Sequence, residues 1–340
     1  MRKVLGRLGR CGRFAGLAAA TAGLAMVAGG CSTNAATGRT QLSFYDRDWE
    51  IDIGQQAAPG MVTEFGGEVK SPELRAYVDD IGKRLAQHTE ADNPSLPWTF
   101  TLLDSDVINA FALPGGKVFF SRGLAQAMTN EAQMAGVLGH EVGHVTARHT
   151  AERISQVTLL QGTVQAVGVA ADVAGSSGVA QALPALQVGS QLVTLKFGRD
   201  QESESDSLGM RYMTKENYNP QAMVQVMEIL KAASEGSGGN EWTSTHPLPE
   251  TRIERIKAEI AESYGFTQNN PQYVYKEAEF KTKFLAKLAA LPPAPDAGQV
   301  AARRGVTHFV NGQWVAVNLD DPMTWCVHCI ENSQMGQSGR

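Results

Sequence analysis

"VLGHEVGHVTARH" (residues 137–149) decides how this chain is read. It sets His140 and His144 four positions apart, with Glu141 directly after the first histidine. On an α-helix such a pair lies one turn apart and rotated by about 40°, so two imidazoles can grip one ion from the same side. Zinc takes such nitrogens at about 2.0–2.1 Å and keeps a position open for water when only three protein groups bind it. Glu141 then points beside the metal, where it can take a proton from that water. Five letters can fall together by chance, so the local structure, a third ligand and the compartment must support them. The first of these does. Asn130 opens a helix with Gln133 as its capping partner, and Met134, Val137, Leu138, Val142 and Val145 give it the apolar flanks of a core helix rather than a solvated one.

The third ligand sets the class. One scheme needs a histidine six residues after the second, preceded by a glycine, but those places hold Thr150 and Ala147. On a continuous helix His149 would face about 180° away from His140, and is expected to make structural hydrogen bonds. The other scheme takes a glutamate from a later helix. In "QESESD" (201–206), Glu202 and Asp206 share a helix face and Glu204 does not. Glu202 is expected to complete a site for one Zn2+ per chain, with Asp206 behind it orienting a ligating imidazole. Without the histidine motif, this acidic run would read as a solvated helix face.

The compartment is legible at the N-terminus. Arg2, Lys3, Arg7, Arg10 and Arg13 precede a small-to-apolar run, "FAGLAAATAGLAMVAGG" (14–30), that stops at Cys31. This describes a secretory signal over residues 1–30 rather than a membrane span. Ala28-Gly29-Gly30 before Cys31 resembles a bacterial lipobox, with alanine at a position usually held by leucine. It makes Cys31 the lipidated first mature residue; the plain alternative is a cleaved signal with an incidental cysteine. Several acyl chains together hold a protein on a membrane stably. The remaining chain carries 25 basic against 35 acidic residues, which gives no basic patch for nucleic acid.

Along the chain, residues 31–44 are polar and small and read as a tether. A helix starts near Tyr45, is interrupted by Pro59 and ends at Gly66-Gly67. Ser71 and Pro72 start a second, with Leu74, Val78, Ile81 and Leu85 as its stripe. "WTFTLLD" (98–104) and "KVFFS" (117–121) read as strands. Residues 155–197 read as two or three helical pieces, either core or a mobile cover over the site. "RDQESESDSLGMRYM" is helical from Arg199, "EGSGGNEW" (235–242) is a loop, and another helix starts near Pro249. After a linker at "PPAPDAG", two short runs flank Asn311-Gly312 as a hairpin. Cys326 and Cys329 form a CxxC around His328. In an oxidising compartment this is expected to be a disulfide, with a second metal site or a redox role as alternatives.

Four blocks, "NAFALPGGKVFFSRGL", "GVLGHEVGHVTARHT", "RDQESESDSLG" and "STHPLPETRI", appear in this order. Together they resemble the HtpX/CaaX-prenyl-protease family of zinc metallopeptidases, in its envelope lipoprotein branch, over roughly residues 45–260. The resemblance implies an α+β fold: a mainly helical gluzincin-type domain over 45–290, with a small antiparallel sheet at the active-site edge. The segment 291–340 then follows as linker and C-terminal hairpin. It implies His140, His144 and Glu202 as ligands, Glu141 as base and acid, and Asp206 supporting the ligands. It places Asn109, Ala110, Phe111 and Ala112 on the edge strand along which substrate lies, and His246 and Arg252 in the cleft. An exposed edge binds any extended peptide through its backbone, which gives loose sequence preference. His246, otherwise a loop residue before a helix-starting proline, is positioned either to stabilise an oxyanion or to occupy the fourth zinc position and restrain the enzyme. The expected function is a lipid-anchored endopeptidase on the periplasmic face of the outer membrane. Its substrates are misfolded or unassembled envelope proteins, with the outer-membrane protein assembly machinery as a possible partner. The alternative is a chaperone or assembly factor with restrained proteolysis.

Overall fold

Residues 31–44 do not hang free. In the computed structural model, which describes residues 31–91, 93–169, 196–237, 242, 245–246, 250–295, 307–310 and 313–316, β1 (Cys31–Thr33) and β2 (Thr40–Leu42) pair antiparallel. The tether expectation is corrected in this respect. The Asn34 side chain closes the turn by accepting from the N–H groups of Ala36 and Thr37, and donates to the carbonyl of Thr146 at 2.9 Å. The segment is thereby fixed to the body of the protein.

Helices begin where the sequence sets a cap, because the first N–H groups of a helix need an acceptor. Asp46 caps α1 (Arg47–Glu64) and Ser71 caps α2 (Pro72–Ala86). Ser121 caps α3 (Arg122–Gln126), and Asn130 caps α4 (Glu131–Thr146), the motif helix. Contrary to expectation, α1 runs through Pro59. Pro59 and Gln55 are both exposed there, so the Gln55 carbonyl that loses its helical donor can be hydrated.

Strand β3 (Thr99–Leu103), β4 (Ala110–Leu113) and β5 (Lys117–Ser121) form one sheet in the order β3–β5–β4. The β4–β5 pair is antiparallel, and β3 joins β5 parallel. Helix α2 lies on this sheet. Its Leu74, Val78, Ile81 and Leu85 are buried, each burial stabilising by roughly 1.5–3 kcal/mol. Gly82 lets the helix touch Phe100, since a Cβ there would lie 2.2 Å from that ring.

The motif helix α4 is buried along its whole length. It is followed by α5 (His149–Val169), α6 (Arg199–Lys215), α7 (Gln221–Ser237) and α8 (Glu250–Ser263). Helix α7 continues through Glu235-Gly236-Ser237, the start of the expected loop. The expected breaks between 170 and 195 lie outside the described residues. Helix α9 (Glu277–Phe280), a π turn (Lys281–Leu285) and α10 (Ala286–Ala289) complete the body. At the end, β6 (Thr307–Val310) and β7 (Gln313–Ala316) pair antiparallel around residues 311–312, as the hairpin reading expects. Residues 1–30 and Cys326 and Cys329 lie outside the described residues. No described helix is long and apolar enough to cross a membrane.

Candidate metal centre

Helices α4 and α6 approach more closely than side chains normally permit. A Cβ on Gly139 would lie 3.1 Å from the Gly209 carbonyl oxygen, one on Gly209 would lie 2.9 Å from His140 N, and one on Gly143 would lie 2.9 Å from the Ser205 carbonyl oxygen. Ser205, facing the same contact, donates from Oγ to the His140 carbonyl at 2.5 Å. These small residues alternate with His140 and His144 on one helix and with Glu202 and Asp206 on the other. Backbone contact therefore carries both histidines to the carboxylates.

His140, His144, Glu202 and His246 each turn one donor atom into a common space, all within 4.8 Å of one another and all buried. His140 Nε2 is 3.0 Å from His144 Nε2 and 3.4 Å from His246 Nδ1. Glu202 Oε1 is 2.9 Å from His246 Nδ1 and 3.4 Å from His144 Nε2. Donors about 2.0–2.1 Å from a tetrahedral zinc lie about 3.3 Å apart, so the donor set fits one zinc ion. The outer nitrogens lead to the same answer. His140 Nδ1 meets Asp206 Oδ1 at 2.9 Å, and His144 Nδ1 meets His149 Nδ1 at 2.9 Å. With their hydrogens on Nδ1, both rings present lone pairs to each other at 3.0 Å, an arrangement that a cation held by both would satisfy.

The local electrostatics favour positive charge at this point. Burial opposes ionisation of Glu202, yet His246 and Arg252 outweigh it and hold its pKa well below the ordinary value. Burial likewise opposes a charged His246, but Glu202 and Glu141 hold its pKa up. Burial keeps His144 well below the ordinary histidine value. Glu141 stands beside the cluster, with Oε1 buried, without a hydrogen-bond partner, and 3.8 Å from His246 Nε2.

The remaining expected residues lie as follows. The Arg252 guanidinium forks onto Asp206 at 2.7 and 2.8 Å and reaches Glu202 at 2.6 Å, so it braces the ligand carboxylates. Ala110, Phe111 and Ala112 lie on β4, an edge of the sheet, and Asn109 directly precedes it. Ala112 and His144 line one small cavity, which ties that edge to the centre.

His149 departs from its expected place. Helix α4 ends at Thr146, Arg148 takes a left-handed conformation (φ 56°), and the new helix turns His149 back onto His144. Sequence reasoning also missed Trp242 and Phe197. The Trp242 ring stacks on His246 at 4.7 Å, and Phe197 sits 4.0 Å from the His144 ring. Phe197 lies outside regular structure and Trp242 in a short helical stretch next to a Gly/Ser-rich run, so no periodic pattern in the sequence marked these two.

Two helices that bring a histidine pair and a glutamate around a space for one cation, with a second glutamate alongside, define a gluzincin-type metallopeptidase centre. The profile of Peptidase family M48 matches residues 72–260, and the chain belongs to that family. It is 32% identical over 251 residues to the Beta-barrel assembly-enhancing protease of Escherichia coli (strain K12), covering 71% of this chain and 49% of that protein. It is 29% identical over 229 residues to the Mitochondrial metalloendopeptidase OMA1 of Schizosaccharomyces pombe, covering 66% of this chain and 65% of that protein. It is 28% identical over 267 residues to the Metalloendopeptidase OMA1, mitochondrial, of Danio rerio, covering 71% and 55%. The chain spans about half the length of the first of these relatives.

Proposed function

We propose that this protein is a zinc metalloendopeptidase of the bacterial cell envelope, anchored through Cys31 on the periplasmic face of the outer membrane. Its substrates are misfolded or unassembled envelope proteins. The observation that carries the reading is the four-donor cluster with Glu141 beside it, its Oε1 buried and without a hydrogen-bond partner. The name of the Escherichia coli relative, which speaks of β-barrel assembly, supports a role in the assembly of β-barrel proteins. Zinc bound by His140, His144 and Glu202 supplies acidified water and a polarised carbonyl. Glu141 takes the proton of the attacking water and passes it to the leaving amine. The edge of β4 aligns an extended peptide through its backbone, with Asn109, Ala110, Phe111 and Ala112 as the contact. Asp206 and Arg252 keep the ligands in place.

His246 makes the resting state self-inhibited. Its Nδ1 stands among the ligand atoms, Glu141 and His246 are each only 1% exposed, and Trp242 and Phe197 pack on its ring. A peptide reaches the centre only when this residue withdraws. Glu141→Gln should keep zinc and fold yet lose nearly all cleavage of casein. His246→Ala should keep zinc and raise basal cleavage or self-cleavage. Cleavage by Glu141→Gln at the wild-type rate rejects the mechanism, and a uniformly slower His246→Ala rejects the inhibitory role.

A further inference from the structure

The imidazole of His144 is supported by a line of groups that leads away from the centre and ends on the N-terminal hairpin. Its Nε2 faces His140 and Glu202, so when that nitrogen holds the metal the hydrogen of the neutral ring sits on Nδ1. That N–H donates to His149 Nδ1 at 2.9 Å. His149 must then carry its own hydrogen on Nε2, which donates to Glu204 Oε2 at 3.0 Å. Arg39, on the turn before β2, donates to Glu204 from Nε at 2.8 Å and from its terminal nitrogen at 3.2 Å. Its other contacts, at 2.7 and 2.8 Å, go to Glu152 on α5. With both rings neutral and His144 Nε2 on the metal, this is the one assignment in which every contact in the line is a hydrogen bond with a donor and an acceptor. Each proton position is fixed by the next group outward.

We propose that His149, Glu204 and Arg39 are positioning residues of the metal centre, holding the ring and tautomer of His144 as Asp206 holds those of His140. The inference rests on His144 being a ligand. An imidazole bound only at one nitrogen can rotate, whereas an acceptor at the far nitrogen fixes its plane and raises its basicity. The two ligand histidines are thus served by two arms built from the same helix α6: Asp206 directly, and Glu204 through an interposed imidazole. Each arm ends on arginine, Arg252 for the first and Arg39 for the second. A segment that looks like a tether in the sequence therefore completes the outer support of the centre.

A purely structural histidine would also be buried and bonded, so the test must separate metal from stability. Full-length protein loaded with zinc is mixed with a chelating dye, and the rate of zinc transfer is followed. The melting temperature of the metal-free protein is measured alongside. His149→Phe and Glu204→Ala should release zinc about 10- to 100-fold faster than wild type. Glu204→Gln, whose amide oxygen still accepts from His149, should fall between Glu204→Ala and wild type. Arg39→Ala should show the smallest acceleration, being one bond further out. Should His149→Phe not fold, Glu204→Ala carries the test, because the Glu204 side chain is 22% exposed. Wild-type zinc release from Glu204→Ala overturns the proposal, whatever happens to its metal-free melting temperature. His144→Ala is the control: if it retains zinc, the ligand reading fails instead.

Discussion

Gly143 shows how much a single missing methyl group decides. The glycine lies inside the histidine motif, and any Cβ there would fall 2.8 Å from Ser205 Oγ and 2.9 Å from the Ser205 carbonyl oxygen. The backbone cannot yield without moving α6, and α6 carries Glu202. Gly143→Ala should therefore destabilise by about 1–3 kcal/mol and reduce bound zinc. Gly136 is the internal control on the same helix. A Cβ there meets nothing nearer than Met223 Sδ at 3.6 Å, so Gly136→Ala should be neutral or stabilise by up to about 1 kcal/mol. Thermal melts and zinc stoichiometry of the two variants check this, and a shift in the same direction for both would refute the close-approach argument. At this scale the sequence was most informative about chemistry. The structure gathers the expected ligand positions because histidine spacing on a helix is a geometric constraint. It was least informative about His149, since the left-handed residue before it is Arg148 and not the glycine or asparagine that announces such a turn. Glu204, set aside because it leaves the ligand face, proves to use the opposite direction to reach His149.

The motif helix is held at its start by Glu131, in its first turn. Tyr77 from α2 and Tyr218 from the loop after α6 donate to this carboxylate, and Lys276 does so at 2.7 Å. Burial opposes the charge, but these donors outweigh it and hold the pKa below the ordinary 4.5. The unfolded chain therefore takes up the proton first as pH falls. The stability that Glu131 contributes is fully present above pH about 4.5 and is lost as pH falls through the folded-state pKa. Glu131→Gln should be less stable than wild type at neutral pH, and the difference should narrow through that acid window. Denaturant midpoints taken across the range test this, and a gap that stays constant down to the acid end contradicts it. Elements with local signals were legible: caps at Ser71 and Asn130 and the apolar stripe of α2 mark their own helices. The N-terminal hairpin was not. Its polar residues are satisfied by Thr146, Glu152 and Glu204, all more than 100 positions away in sequence, and no local pattern encodes such partners. Position β4 followed from the resemblance, since four residues flanked by a turn show no periodicity of their own.

Across the whole molecule, the N-terminal hairpin that begins at Cys31 is connected to the centre through Arg39 and Glu204. Under the proposed reading Cys31 carries the lipid, and Ser32 after it lacks the aspartate of inner-membrane retention. Sucrose-gradient fractions should show wild type with outer-membrane markers. Cys31→Ala should release the protein to the soluble periplasmic fraction or block its maturation. A Cys31→Ala protein that still sediments with membranes would remove the lipid anchor from the account. The donor atoms themselves are scattered along the chain: His140 and His246 are 106 positions apart, and Arg39 and Glu204 are 165 apart. This dispersal bears on timing. A chain that emerges from its N-terminus exposes Arg39 first, the histidine pair much later, Glu202 later still and His246 last. Any portion that stops short of residue 202 holds two imidazoles and no third donor, so it cannot seat the ion as the finished protein does. A chain that ends before Glu202 is thus without the three-ligand site of the proposed reading. Under the proposed reading, His246, which restrains the site, joins it last.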